Sequence, residues 1–308
     1  MHAVLRRWGS RRRRVTGALV VLLLVAAAVA TAYRGPLVAY LTHLKGSPTH
    51  TVPYVAHVPP PLVRIAAAGD TGDSGGRLDA TGVAIAALGA ARPYDALLLL
   101  GDLVYPSGDP DRVQATVFEP FAGVLAEGSE LLAVLGNHDV AKGRGDALVA
   151  ALGQPGRWWA RQIDDVLLVG LDSTEPDDPV QRVWLEATLA STTARWKVVA
   201  LHHPPYSAGY QGSSEDVRAA FSPSFERYGV QLVLSGHDHD YQRSVPIRGV
   251  TYVVSGAGAG TRRTGEASFT AVSFSWHHFL DIAVFEHRLV VRAVNQDGRV
   301  ADEVTLQA

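Results

Sequence analysis

Five short clusters of oxygen- and nitrogen-bearing side chains recur along the chain, each after an apolar run. They are Gly69-Asp70-Thr71-Gly72, Gly101-Asp102-Leu103-Val104-Tyr105, Gly136-Asn137-His138-Asp139, His202-His203-Pro204-Pro205-Tyr206 and Gly236-His237-Asp238-His239. Carboxylates, imidazoles, a carboxamide and a phenol can all donate to a metal ion. His237 and His239 stand two apart, so in an extended segment they point to the same side and can reach two adjacent metals. Asn137 can bind a metal through its carbonyl oxygen, and His138 beside it suits a general acid or a phosphate contact. The chain has no cysteine, which excludes disulfides, thiolate metal sites and thiol nucleophiles. With 12 histidines, any metal site must be built from His, Asp, Glu, Asn and Tyr.

The elements that position these clusters read as buried strands. Four consecutive leucines, Leu97 to Leu100, lack the polar alternation of a half-exposed strand, which predicts a strand covered on both faces. Residues 62–68, 131–135, 167–171, 197–201 and 232–234 follow the same plan. In open α/β sheets ligands bind beyond the carboxyl ends of the strands, where these clusters fall. Helices are predicted at 81–90, 111–125 and 180–189, and antiparallel strands over 279–306, with a turn at Asn295-Gln296-Asp297-Gly298. The glycine-rich run 255–260 lacks dinucleotide-binding spacing and reads as a loop. Asp172 is read as structural, Trp158-Trp159 as packing, His277-His278 as loop or strand surface, and His43, His50 and His57 as exposed bystanders.

Six arginines among residues 6–14 precede an apolar stretch from 15 to 33. That pattern is an export signal or a membrane anchor, near the ~20 residues a spanning helix needs. An uncleaved anchor is preferred; Ala28-Val29-Ala30 offers a cleavage site for the alternative. Either case places the rest of the chain outside the cytoplasm. Residues 1–34 are thus the leader or anchor, 35–61 a Pro-containing juxtamembrane linker, and 62–308 a catalytic domain. The formal net charge of -2 points to no nucleic-acid partner.

The ordered motifs Asp70-x-Gly72, Gly101-Asp102-x-x-Tyr105, Gly136-Asn137-His138-Asp139, His202-x-Pro204-x-Tyr206 and Gly236-His237-x-His239 resemble the calcineurin-like metallophosphoesterases, in their purple acid phosphatase branch. The resemblance implies an α/β fold: a four-layer α/β/β/α sandwich of two mixed sheets. It implies one metal held by Asp70, Asp102, Tyr105 and His239. A second metal would be held by Asp102, Asn137, His202 and His237, with Asp102 bridging. His202 occupies the ligand place in its motif, leaving His203 as a substrate contact or supporting group. The first site carries more anionic charge, which favours Fe(III) there, with Fe(II), Zn(II) or Mn(II) at the other. A hard trivalent ion could hold the Tyr105 phenol ionised far below its free pKa of roughly 10. The implied reaction is attack of a metal-activated hydroxide on a phosphomonoester, with His138 binding phosphate or protonating the leaving alcohol. A phosphodiesterase or nucleotidase with the same centre, and an inactive membrane-tethered binding protein, are the alternatives.

Overall fold

Side-chain alternation within the buried strands decides the architecture. The computed structural model describes residues 50–308. The predicted leader or anchor, with residues 35–49 of the linker and His43, lies outside the described residues. In chain order the strands are β1 (Val52–Pro53), β2 (Val63–Ala68), β3 (Ala96–Leu100), β4 (Glu130–Val134), β5 (Trp159–Ile163), β6 (Val166–Gly170) and β7 (Trp196–Ala200). They continue with β8 (Leu232–Ser235), β9 (Tyr241–Ser244), β10 (Thr251–Ser255), β11 (Thr270–Phe274), β12 (His278–Val284), β13 (Arg288–Asn295) and β14 (Arg299–Gln307). The α-helices are α1 (Gly76–Gly89), α2 (Ala122–Ala126), α3 (Gly145–Leu152), α4 (Pro179–Ser191) and α5 (Glu215–Arg227).

Two mixed sheets form, ordered β1-β14-β13-β12-β2-β3-β4 and β11-β9-β10-β8-β7-β6-β5. Ile65, Ala67, Leu98, Leu100, Leu132 and Val134 of the first sheet meet Leu168, Val198, Leu232 and Leu234 of the second in a core between them. The alternate residues of the first sheet, such as Ala66, Leu97 and Leu99, turn outward and bury Leu78, Ile85, Val124 and Leu148 of α1, α2 and α3. Leu167, Val169, Val199 and Val233 do the same for Leu185 and Leu189 of α4 and Val217, Phe221 and Phe225 of α5. The stack is therefore helix, sheet, sheet, helix, as period-two strands with two apolar faces require.

Several elements differ from the sequence reading. The predicted helix at 111–125 is three short pieces: a 3₁₀ turn at Pro110–Arg112, a π-helical turn at Gln114–Phe118, and α2. Pro120 has no amide proton to continue the ladder, so the helix breaks there. β9, β11 and α5 were not anticipated; β11 carries exposed and half-buried residues at its start, and α5 contains Pro223. His57 is half-buried, its ring edge-on to Phe285 with centroids 5.4 Å apart, rather than an exposed bystander.

Residues just before β2 are held against the first sheet. β1 pairs antiparallel with β14, and the Tyr54 hydroxyl donates to Asp281 Oδ2 at 2.9 Å. Arg64, 4% exposed, uses all five of its N–H donors. They reach Asp281, the carbonyls of Leu88 and Arg92, and the hydroxyls of Tyr54 and Tyr94. A charge this buried is tolerable because its partner and its hydrogen bonds are complete.

His278, read as loop or strand surface, instead opens β12 and is fully buried. Its Nδ1–H donates to the Trp276 carbonyl at 2.8 Å and its Nε2 accepts from the Ser255 hydroxyl at 3.0 Å, so the neutral ring is satisfied on both sides. Burial pushes its pKa down from 6.5 to about 4. The unfolded chain therefore takes up this proton first. Stability from His278 is full above about pH 7 and declines as pH falls through 6.5 towards 4, by up to ~3 kcal/mol. Denaturant melts of His278→Gln, which cannot charge, should show a smaller loss between about pH 7 and pH 5 than the parent protein.

Candidate metal centre

The clusters converge because the parallel strands of both sheets end at the same seam. The turns that follow them are tight. Asp70 (φ 56°), Asp102 (φ 53°) and His237 (φ 70°) all adopt the left-handed region, which non-glycine residues rarely enter. Such conformations cost free energy and persist where surrounding structure holds them. Two glycines make the approach possible. A Cβ at Gly101, itself at φ 87°, would lie 2.5 Å from His202 Nδ1, and one at Gly136 would lie 2.1 Å from Asp102 Oδ1.

Within this seam the two carboxylates organise everything else. Asp70 Oδ2 accepts the His237 amide at 2.8 Å, and Asp70 Oδ1 lies 3.2 Å from the Tyr105 hydroxyl and 3.3 Å from His239 Nε2. Tyr105 and His239 Nε2 are 3.1 Å apart. Asp102 Oδ1 accepts the His138 amide at 2.9 Å and lies 3.5 Å from His202 Nε2. The ring of His202 donates from Nδ1 to the Leu100 carbonyl at 2.9 Å, which leaves its Nε2 lone pair free for a cation. His237 Nδ1 sits 3.3 Å from that same Nε2.

These donors fit metal ions. Ligand atoms of Asp70, Asp102 and His202 all lie within 4.8 Å of one another, as do those of His202, His203 and His237. Asn137 Oδ1 is buried without a hydrogen-bond partner, and an orphaned carbonyl oxygen is what a cation would satisfy. His138 is at the edge: its ring is edge-on to Tyr105 with centroids 4.7 Å apart, and Nδ1–H donates to the Pro106 carbonyl at 2.8 Å. Its Nε2 stands 4.0 Å from Asp102 Oδ2.

The electrostatics of the protein alone are set by the buried carboxylates and the imidazoles against them. Burial pushes the Asp102 carboxyl up, yet His202 and the His138 amide outweigh it and hold it well below the usual carboxylate range. Burial lowers His202, but Asp102 more than reverses that and raises it to about 10. Burial, then Asp70 and Asp102, drive the Tyr105 phenol far above its ordinary 10, so only added positive charge could ionise it. Burial and the neighbouring His202 bring His203 down to about 4 and His237 to about 2.

Three supporting residues were not legible as such. Asp139 accepts the amides of Leu103 and Gly136 at 2.9 Å and of Val104 at 3.1 Å, which staples the turn after β3 to the turn after β4. Burial and the Asp102 charge push its carboxyl up to about 7. Asp238 accepts the Gln211 amide at 2.6 Å and the Ser207 hydroxyl at 2.5 Å, anchoring the loop after β7 beside His237. Ser173 accepts the amides of His202 and His203 at 3.2 and 2.9 Å. In sequence, each is one more polar residue in a polar turn. Asp172, taken as structural, accepts from the amide and hydroxyl of Thr174 at 2.9 and 2.6 Å. Trp159 packs in the core and donates to the Ala133 carbonyl at 2.7 Å.

Two buried carboxylates and several imidazoles at the shared end of two sheets define a seam whose donors could hold metal ions. The description of the calcineurin-like phosphoesterase family matches residues 63–241, and the chain belongs to that family. Purple acid phosphatase 17 of Arabidopsis thaliana is 37% identical over 76 residues, covering 24% of this chain and 22% of that protein. Tartrate-resistant acid phosphatase type 5 of Mus musculus is 28% identical over 250 residues, covering 67% and 76%. The first curated relatives are thus matched over less than a quarter of their own length. Among solved structures, GAP50, the anchor in the inner membrane complex of Plasmodium, superposes with TM-score 0.71 at 16% identity, covering 80% of this chain and 88% of that one. The purple acid phosphatase PPD1 of yellow lupin (Lupinus luteus) gives 0.69 at 17% identity, covering 80% and 53%. Both share the fold.

Since a Cβ at Gly136 overlaps Asp102 Oδ1, Gly136→Ala should displace that carboxylate. Metal titration should show binding about 10–100-fold weaker, with an unchanged far-ultraviolet spectrum.

Proposed function

We propose that the protein is a binuclear metal-dependent phosphatase acting on phosphomonoesters. The observation that carries this reading is the convergence of Asp70, Asp102 and His202 within 4.8 Å, beside the orphaned oxygen of Asn137. In it Asp70, Asp102, Tyr105 and His239 hold one cation, and Asp102, Asn137, His202 and His237 hold the other. The acid phosphatase relatives support the same substrate class. Two cations would supply the charge that makes water a nucleophile near neutral pH and neutralises the phosphoryl oxygens.

The chain's own residues do the rest. His138 keeps Nδ1 on the Pro106 carbonyl, so Nε2, on the Asp102 side of the ring, binds phosphate or hands a proton to the leaving alkoxide. The Leu100 carbonyl fixes the tautomer of His202. Tyr105 is the residue that selects the metal. Its phenol joins Asp70 and a share of Asp102 in the more anionic of the two donor sets, which favours Fe(III) there beside Fe(II), Zn(II) or Mn(II).

Among the described residues no helix is long and apolar enough to cross a membrane. The basic and apolar pattern before residue 34 supports export or anchoring, with the domain outside the cytoplasm.

Aryl phosphate and bis-aryl phosphate turnover, measured together with metal content per chain, tests the assignment. The monoester should be the preferred substrate of a protein holding two metals; faster diester turnover would reassign the substrate. Asp102→Asn should lose both metals and at least ~10²-fold in rate, because its carboxylate serves both cations. Tyr105→Phe should abolish the visible tyrosinate-to-iron absorption; a colourless parent protein holding only divalent ions would overturn the iron assignment and leave hydrolysis standing.

A further inference from the structure

The side chain of His138 is 40% exposed, so packing alone does little to fix the direction of its ring. Two of its contacts come from a single loop. The ring stands edge-on to Tyr105, and its Nδ1–H donates to the Pro106 carbonyl at 2.8 Å. The backbone anchors that loop at its ends, where the Tyr105 amide donates to the Gly72 carbonyl at 3.1 Å and the Gly108 amide to the Val104 carbonyl at 2.9 Å. Pro106, between them, has no N–H to give.

The middle of the loop is held by side chains. Three consecutive carbonyls each accept from a different one: Tyr105 from Arg112 Nη1, Pro106 from His138, and Ser107 from Arg144 Nη1 at 3.2 Å. Arg112 can reach back to Tyr105 because its own amide bonds the Asp109 carbonyl at 3.0 Å, closing the 3₁₀ turn Pro110–Arg112. Its Nη2 donates to the Ser74 hydroxyl at 3.1 Å, which ties the loop to the turn after β2. Arg144 Nη1 also lies 3.6 Å from Asp109 Oδ2. Hydrogen bonds from a guanidinium are charge-assisted and stronger than neutral ones. Peptide units are planar, so fixing the carbonyls on either side of Pro106 restrains the one between them.

We propose that Arg112 and Arg144 are positioning residues: by holding the carbonyls that flank Pro106 they aim the His138 ring at the substrate's phosphoryl group. This rests on the phosphatase reading and names what orients the ring within it. Both arginines act through the Pro106 carbonyl. A pure loop staple, serving only to keep Tyr105 in place, would matter whether or not the imidazole is present. An orienting role disappears with the imidazole, and that difference separates the two.

The test is a double-mutant cycle on the metal-loaded full chain with phenyl phosphate, metal content being measured for every variant. Arg112→Ala and Arg144→Ala should each keep the parent's metal content and lower kcat/KM about ten-fold, the scale of one hydrogen bond to a charged group. In a His138→Ala background the same substitutions should change the rate by less than about two-fold. Arg112→Lys, which keeps a charged donor, should recover part of the loss. The ring-nitrogen chemical shift of His138, read in histidine-labelled, zinc-loaded protein, should move in both alanine variants. Equal losses with and without His138 would overturn the proposal, as would loss of a metal from either variant or an unmoved shift. A parent protein that turns over no ester would refute the phosphatase reading, and the shift would still decide whether the arginines orient the ring.

Discussion

Burying two carboxylates side by side is the constraint on which this structure depends. Asp70 and Asp102 are 0% and 2% exposed, and anions so placed are costly unless donors or cations surround them. Neither sheet supplies enough donors alone. Asp70 follows a strand of the first sheet and draws on the His237 amide and His239 of the second. Asp102 follows β3 and draws on His138 in its own sheet and His202 across the seam. Packing the sheets together and assembling the site are thus one event.

The price of that assembly is geometric. Three residues at the seam take left-handed conformations, and Gly101 and Gly136 stand where any side chain would run into His202 or Asp102. Asp139 and Asp238 lock the turns from beneath by accepting backbone amides. The result is a set of donors fixed before any ligand arrives, which lowers the ordering cost of binding. Rigidity is continued into one tautomer: the Leu100 carbonyl can only accept, so it holds the His202 ring with its proton on Nδ1.

The first sheet's distant side shows the same principle in a structural setting. Arg64 and Asp281 are buried as a pair, and Tyr54 and Tyr94 complete their hydrogen bonds. Elements that bury one continuous apolar face, such as β3 and α4, were plain from the sequence, because burial on a regular period leaves a readable pattern. Elements stabilised by their position were not. β9 is made of Tyr, Gln, Arg and Ser, and its buried polar groups are satisfied by residues far along the chain, such as Asp302 and Ser207. His278 likewise looks like any polar residue until Ser255 is brought beside it.

By itself the sequence determined the donor chemistry: absence of cysteine, carboxylates and imidazoles at strand ends, and a phenol three residues after Asp102. It also determined the two-faced strands that force a layered α/β stack. Only the tertiary structure decided which histidine nitrogen is free and which carboxylate clamps a loop while another faces the seam. It also left Asn137 Oδ1 without a partner. The physical reason is that burial and hydrogen bonding are properties of neighbours, and at this seam the neighbours come from strands more than a hundred residues apart, as His202 and the Leu100 carbonyl do.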